Sequence, residues 1–194
     1  MAFTARSQAA RDAILTAARR AFATHGFERT TVRGVAADAG VDPSMVIRYY
    51  TNKDGLFQAA TAVDLALPEL GAVPSSGRGA ALAARFVELW DDAGSGEVLT
   101  LLLRSAPTSE RAAERIREVF SNQVRTMVEQ LVDPQRTDDP RLWTVTDRRS
   151  AALSSYILGT ALARYVLRLP PLGDAEADEV TATMGPVIQA ILDQ

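Results

Sequence analysis

Residues 31–57 read TVRGVAADAGVDPSMVIRYYTNKDGLF, and this stretch carries the clearest structural pattern of the chain. Its first apolar residues recur at intervals of three and four, which places them on one face of a helix. These residues are Val32, Val35, Ala36 and Ala39. The outer face of the same helix carries Arg33. The stretch therefore begins with a short helix that can pack on a core.

A tight turn follows this helix. Gly40 stands where a helix needs a residue that tolerates a positive φ angle. Asp42 supplies an N-cap oxygen, and Pro43 follows at the first helical position, where its missing N–H costs nothing. The turn is only about three residues long, so the spacing predicts a helix-turn-helix.

The second short helix has two different faces. Val46 and Tyr50 lie four residues apart and, together with Val41, are predicted to face the core. The opposite face carries one charge and is a better surface for thymine methyls, sugars and phosphates in a major groove than for water. The residues predicted to face outward are Ser44, Met45, Ile47, Arg48 and Tyr49. A helical corner of some other all-α protein is the alternative interpretation.

The next helix begins with a lysine in an unusual place. Asn52 is a good N-cap and puts Lys53 in the first turn, where a cation meets the positive end of the helix dipole and costs about 0.3–1 kcal/mol. A bound phosphate would reverse the sign of that cost. Lys53 is the single lysine beside 20 arginines, so we interpret it as a phosphate contact, with a solvated side chain as the alternative.

Upstream of residue 31, an apolar stripe predicts a helix that completes a three-helix module. The stripe ends at His25-Gly26, with the glycine in the C-terminal capping position. Arg11 precedes most of this stripe and could reach the DNA backbone or remain solvated. The stripe contains Ala10, Ile14, Ala17, Ala18, Ala21 and Phe22.

About a quarter of the chain resembles the N-terminal domain of TetR-type (tetracycline-repressor-like) transcriptional regulators. The resemblance implies that Thr31 and Lys53 contact phosphates, that the helix over residues 43–50 lies in the major groove, and that the functional unit is a dimer. The matching residues are Ile14-Leu15, Ala17-Ala18, Phe22, Gly26-Phe27, Thr30-Thr31-Val32, Val35-Ala36, Ala39-Gly40-Val41, Tyr49-Tyr50, Lys53 and Leu56-Phe57.

One position departs from the family pattern. The family commonly has a tyrosine where this chain has Ile47. A phosphate or base contact assigned to that tyrosine does not transfer to this chain. Arg48 and Tyr49 are therefore expected to take a larger share of the DNA contacts. The predicted DNA-binding residues also include Arg33 and Pro43.

Charge is distributed unevenly along the chain. Residues 1–55 hold eight basic residues against five acidic ones, a balance of +3, whereas residues 56–194 hold 13 against 19, a balance of −6. A basic module on an acidic body would bind DNA with its tip and keep the body away from the phosphates.

Composition limits the other possibilities. The chain has 194 residues, 47% of them hydrophobic, which suffices for a small domain and a larger one with its own core. It has no cysteine, and its single histidine, His25, has no companions at metal-ligand spacing, so we predict neither metal nor cofactor. It has no signal-peptide-like stretch and no run of about 18 apolar residues, which predicts a cytoplasmic protein.

Helical periodicity continues beyond Phe57, and the predicted fold class is all-α. Residues 1–52 are assigned to a helix-turn-helix DNA-binding domain and residues 53–194 to a helical effector-binding and dimerisation domain. A connector helix is expected over about 53–67, ending before Pro68. The remaining helices are expected near residues 80–91, 97–105, 109–132, 146–169 and 174–192.

The predicted helix over 146–169 is apolar on more than one face and therefore needs two partners. Ser155, Gly159 and Ala163 form a small-residue stripe that permits close approach of another helix. We predict that this helix and the last one pair with their copies across a two-fold axis, whereas packing within one subunit is the alternative. The last helix would contribute Val180, Met184, Val187, Ile188 and Ile191.

The resemblance also implies a small-molecule effector held between the connector and the body helices. Phe86 and Trp90 share a helix face, and a Trp or Tyr ring brings one polar group to a mostly apolar site. Ordinary core packing explains each candidate equally well. The candidate effector contacts are Phe86, Trp90, Leu99, Leu102, Leu103, Phe120, Met127 and Tyr156.

These features predict a ligand-responsive repressor that binds a palindromic operator as a homodimer. The two recognition helices would lie one DNA turn apart, about 34–36 Å, and a ligand against the connector would move them off that spacing. Control by a protein partner, or by no effector, is the first alternative. A helical enzyme or carrier with an accessory DNA-binding module is a remote one. Because no nucleophile–base–acid set is visible, we predict that the chain is not an enzyme.

Overall fold

The protein is built from α-helices, and no strand occurs in the residues that the structure describes. The computed structural model describes residues 5–131 and 140–194. The N-terminal module contains α1 (Ala5–Arg29), α2 (Val32–Asp38), α3 (Pro43–Tyr50) and α4 (Lys53–Ala60). The body contains α5 (Arg78–Asp91), α6 (Ser95–Ser105), α7 (Glu110–Val119), α8 (Arg125–Leu131), α9 (Pro140–Ala161) and α10 (Ala177–Leu192). The predicted all-α fold class is confirmed.

The core of the N-terminal module joins α1 to α4 and is completed by the body. Phe22, Phe27 and Phe57 form one ring cluster with centroids 5.0–5.9 Å apart, in which Phe57 meets the other two rings edge-to-face. Helices α6 and α7 add apolar side chains to the same core. These are Val98, Leu101, Leu102 and Ala112. The module therefore rests directly on the body.

Helix α4 is shorter than the predicted connector over 53–67. It ends at Ala60, whose carbonyl accepts a hydrogen bond of 2.9 Å from Arg19 Nε of α1. Ala66 then adopts a positive φ of 43°, which no α-helix accommodates. Residues 61–70, named here the strap, run without helix from α4 to the body.

The strap is held by side chains of the body. Gln123 pairs with it twice: its amide nitrogen donates to Val63 O at 3.1 Å, and its amide oxygen accepts from Leu65 N at 2.8 Å. Arg85 Nε donates to Leu65 O at 2.7 Å, and Arg115 Nε donates to Thr61 O at 3.3 Å. These partners are distant in sequence, so periodicity could not predict this segment.

In the body, α5 and α10 form the closest helix pair. A Cβ atom added at Gly79 would overlap the carbonyl oxygen of Gly185 and lie 2.6 Å from Gln189 N. Only a glycine therefore allows this approach. Two π-helical turns, Phe120–Val124 and Leu162–Val166, follow α7 and α9. Within the described residues, no helix combines the length and apolar character needed to cross a lipid bilayer.

Helix α9 begins at Pro140, earlier than the predicted start at residue 146. Proline is favoured at the first turn of a helix because its missing N–H has no helical partner there. The predicted irregular segment between Pro134 and Pro140 lies almost wholly outside the described residues.

Candidate DNA-binding surface

The turn between α2 and α3 has the geometry that the sequence predicts. Gly40 has a φ of 67°. Its N–H donates to Ala37 O at 3.1 Å, while the N–H of Val41 donates to Ala36 O at 3.0 Å. This pair of bonds is a Schellman motif, in which a left-handed residue satisfies the last carbonyls of a helix. The predicted helix stop at Gly40 is confirmed.

Helix α3 begins immediately after this turn. Asp42 Oδ1 accepts from Ser44 N at 2.8 Å, and Pro43 occupies the first helical position. The hydrogen bonds from Ser44 lower the pKa of the Asp42 carboxyl. An ionised carboxylate at this end also favours the helix dipole. The start of the predicted recognition helix is thus fixed by its own sequence.

The two faces of α3 divide as predicted. Val46 is 1% exposed and Tyr50 is 7% exposed, whereas Ile47 is 47% exposed. Burial raises the pKa of the Tyr50 phenol. Ser44 and Arg48 are also exposed, and Pro43, Met45 and Tyr49 are half-buried. The residues predicted to contact DNA from α3 therefore form one continuous outer face.

Two arginines surround Tyr49 at the end of α3. Arg48 donates a hydrogen bond of 3.3 Å to the Tyr49 hydroxyl, and its guanidinium carbon lies 5.1 Å from the ring centroid. The guanidinium of Arg11, from α1, lies 5.4 Å from the same ring. The sequence suggested a backbone contact for Arg11 but not its position against Tyr49, because 38 residues separate the two.

The predicted phosphate-binding residues lie at the N-terminal ends of α2 and α4. Thr31 is exposed and caps α2, with its hydroxyl accepting from Gly34 N at 3.0 Å. Arg33 is exposed on α2. Lys53 is half-buried, and its ammonium donates to Phe27 O at 3.0 Å and Glu28 O at 3.3 Å.

The Lys53 side chain is therefore held in place by these bonds and is only partly exposed to solvent. Its ammonium also lies 4.3 Å from the Phe27 ring centroid, which adds a cation–π contact. An ammonium has three N–H donors, and the carbonyls of Phe27 and Glu28 take two of them. These bonds fix the ammonium beside the end of α1.

A second cation on Phe27 was not foreseen from the sequence. Arg111 of α7 lies 4.2 Å from the Phe27 ring centroid and donates to Asp54 Oδ1 at 2.6 Å. It also lies 3.8 Å from a carboxylate oxygen of Glu28. The hydrogen bond to Asp54 raises the pKa of Arg111. This contact links the body to the DNA-binding module, and 57 residues separate its partners.

Some of the predicted effector contacts line a cavity in the body, and others do not. A partly open apolar cavity of about 40 Å³ lies beneath the strap, between Leu65 and Leu67 on one side and α5 and α6 on the other. Its lining includes the predicted residues Phe86, Trp90, Leu99 and Phe120. The predicted residues Leu103, Met127 and Tyr156 do not line this cavity.

Leu102 needs a correction. It is 1% exposed and packs in the core of the N-terminal module, not in the core of the body. Helix α6 has apolar residues on two faces, and the sequence did not reveal which face meets α1. Leu102 is therefore removed from the effector candidates.

Some of the residues predicted to form the dimer interface are exposed, and others are buried. Ser155 and Gly159 are exposed on α9, Ala163 is half-buried, and Val187 is 41% exposed on α10. The other four predicted residues of α10 are buried in the core of the body, and α10 packs tightly on α5. Being covered within one subunit, they cannot meet a second copy, and the assignment of these four to the interface was wrong. They are Val180, Met184, Ile188 and Ile191.

Two family models match the chain. Residues 14–60 match the model described as "Bacterial regulatory proteins, tetR family". Residues 77–192 match the model described as "Tetracyclin repressor-like, C-terminal domain". No curated protein sequence matches the chain significantly.

Solved structures resemble the whole chain. A TetR-family regulator from Streptomyces coelicolor has 28% sequence identity and a TM-score of 0.70, with 100% of each chain covered. NalD, the secondary repressor of the MexAB-OprM multidrug efflux pump in Pseudomonas aeruginosa, has 22% identity over 93% of this chain and 96% of its own, with a TM-score of 0.65. MexZ, a key repressor responsible for antibiotic resistance in Pseudomonas aeruginosa, has 23% identity, covers 96% of this chain and 94% of its own, and has a TM-score of 0.62. The two Pseudomonas proteins show a shared fold.

Proposed function

The chain belongs to the TetR family of bacterial DNA-binding regulators, and from this premise we propose that it is a repressor that binds a palindromic operator as a homodimer. The observation that carries the proposal is the outer face of α3, which is exposed while Val46 and Tyr50 anchor the helix from behind. Repression is proposed by analogy with NalD and MexZ, which are described as repressors.

In the proposed complex, α3 lies in the major groove and the ends of α2 and α4 face the phosphates. Thr31 and Arg33 would contact one strand, and Lys53 would contact a phosphate beside the first turn of α4. A charged lysine in the first turn of α4 is mildly unfavourable until a phosphate binds there. The base-facing residues would be Pro43, Ser44, Met45, Ile47, Arg48 and Tyr49.

A second copy of the chain is the proposed partner of α9 and α10. Three exposed leucines follow the end of α9, and Val187 is exposed on α10. Gly159 of α9 is exposed, and a Cβ atom there would meet nothing within 4 Å, so its surface is open to another helix. The proposed interface keeps Ser155, Gly159, Ala163 and Val187 and adds Leu162, Leu167 and Leu169.

Selection of bound fragments from random DNA tests the proposal. We expect a palindrome whose half-sites lie about 34–36 Å apart, because a symmetric dimer presents two copies of α3. Binding should weaken steeply with salt, as expected for a protein that neutralises several phosphates. A recovered single half-site would contradict the homodimer. Failure to enrich any sequence would contradict operator binding.

We further propose that a small, mostly apolar effector releases the operator. The cavity beneath the strap supports its location, because it is lined by Phe86, Trp90 and Leu99 and covered by residues that continue from α4. Its volume of about 40 Å³ is well below the roughly 300–1,000 Å³ of drug-sized sites. The strap would therefore have to move before such a ligand could bind.

The same small volume favours a second candidate, a regulator controlled by a protein partner or by no effector. Titration of apolar compounds against the purified protein separates the two. An effector seated beside Trp90 should change its fluorescence and lower operator affinity together. Compounds that change neither quantity would favour the second candidate.

Two further predictions accompany this function. A regulator of transcription must reach the chromosome, so we propose a cytoplasmic location. Membership in a family of DNA-binding regulators also supports the prediction that the chain is not an enzyme.

A further inference from the structure

Ile47 is the one large hydrophobic side chain that is exposed among the described residues of the N-terminal module. In the described part of the chain, the large hydrophobic side chains that are exposed are Ile47, Leu162, Leu167, Leu169 and Val187. The last four lie at the end of α9 or on α10, where a second copy is the proposed partner. Ile47 alone lies on the outer face of α3.

The surroundings of Ile47 leave it projecting from the helix. Ser44 lies three residues earlier and Thr51 four residues later, and both are small, polar and exposed. Arg48, the charged neighbour, turns its guanidinium towards Tyr49, 5.1 Å from the ring centroid. The face that would enter the groove therefore presents an exposed, methyl-bearing side chain.

The chemistry of this side chain restricts what it can read. In the major groove, guanine, adenine and cytosine present hydrogen-bonding groups, whereas thymine also presents a C5-methyl group. An isoleucine offers no donor or acceptor, and placing it on a polar base edge would strip water from groups that it cannot satisfy. A thymine methyl is the one apolar feature available to it.

We infer that Ile47 is a specificity-determining residue that reads the C5-methyl of one thymine in each half-site of the operator. The inference rests on the proposed function, in which α3 lies in the major groove. It also gives a role to the position at which this chain departs from the tyrosine common in the family.

Replacing thymine by uracil in the selected operator tests this assignment, because it removes the methyl group and leaves every hydrogen bond of the base pair. We expect one symmetric thymine position to be sensitive. Loss of one buried methyl should weaken binding about four-fold, the equivalent of about 0.8 kcal/mol. Substitution in both half-sites should weaken it about 15-fold, as the product of two such effects.

The variant Ile47→Ala completes the test. It should bind the thymine operator about as weakly as the wild type binds the doubly substituted operator, and it should not distinguish thymine from uracil. The control Arg33→Ala should weaken both operators equally, since a phosphate contact does not sense the base. Because Ile47 is exposed, the thermal unfolding of Ile47→Ala should match that of the wild type.

The outcomes separate this inference from the proposed function. An operator that tolerates uracil at every position, or an Ile47→Ala variant that keeps the wild-type preference for thymine, would overturn the assignment while leaving operator binding intact. Failure to recover any operator would overturn the proposed function itself, and the assignment with it.

Discussion

Arg111 of α7 donates a 2.6 Å hydrogen bond to Asp54 in the first turn of α4, and thereby ties the body to the helix that follows the recognition helix. The guanidinium also covers the ring of Phe27, in the core of the DNA-binding module. A movement of the body against this module would have to break or carry these contacts. The interaction energy of Arg111 with Asp54 therefore reports how strongly this contact holds the body to the module.

We predict a small coupling energy between Arg111 and Asp54. Both side chains are about half exposed, at 45% and 53%, and exposed pairs contribute about 0.2–1 kcal/mol. A double-mutant cycle with Arg111→Ala and Asp54→Ala, followed by urea unfolding, measures this energy. It should fall as salt is added, because screening weakens exposed charge pairs. A coupling that is insensitive to salt would show that the contact is not electrostatic.

A charge placed at Leu162 should separate the proposed dimer. Leu162→Glu would put a carboxylate on the exposed apolar surface of the π-helical turn after α9, where two copies are expected to meet. Sedimentation at micromolar concentration should show a dimer for the wild type and a monomer for the variant. Thr126→Glu, on the exposed side of α8, serves as the matched control and should remain dimeric. A wild-type monomer would contradict the proposed interface.

The strap should loosen when Gln123 is truncated. Gln123→Ala removes the acceptor of Leu65 N and the donor to Val63 O. Each lost hydrogen bond is expected to cost about 0.5–1.5 kcal/mol. Amide hydrogen exchange at Leu65 should accelerate about ten-fold or more, since 1.4 kcal/mol is a factor of ten. In the control Gln58→Ala, which alters an exposed residue of α4, exchange at Leu65 should be unchanged.

Titration of Tyr165 should lower the free energy of unfolding at alkaline pH. Burial is the main cause that raises its pKa to about 12, and its hydroxyl donates to Asp91 at 2.8 Å. An unfolded tyrosine loses its proton near pH 10. Between about pH 10 and 12, the unfolded state therefore binds fewer protons than the folded state, and the free energy of unfolding falls as pH rises.

The variant Tyr165→Phe isolates this effect. Below pH 10, it should be less stable than the wild type because it lacks the hydrogen bond to Asp91. As pH rises towards 12, the difference between the two should shrink. A difference that stays constant from pH 8 to 12 would show that the Tyr165 hydroxyl does not titrate differently in the two states.

The DNA-binding module was predictable because its signals are local. Gly40 ends α2, and Asp42 and Pro43 begin α3, within four residues of one another. The alternation of Val46 and Ile47 between core and surface follows from helical spacing alone. No knowledge of the rest of the molecule was needed to orient this face.

The body was less predictable because its contacts are distant in sequence. The strap depends on Gln123, about 60 residues away, which helical periodicity does not register. Met184 and Ile188 were assigned to a dimer although they pack on α5, because an apolar stripe does not identify its partner. Leu102 was misplaced for the same reason.

The affinity of Arg48→Glu for the selected operator shows whether the outer face of α3 binds duplex DNA. The control Arg104→Glu makes the same change of charge on an exposed residue of α6 in the body. We predict that Arg48→Glu weakens operator binding at least about 100-fold with unchanged thermal unfolding, whereas Arg104→Glu stays within a few-fold of the wild type. Equal affinity of Arg48→Glu and the wild type would contradict the account.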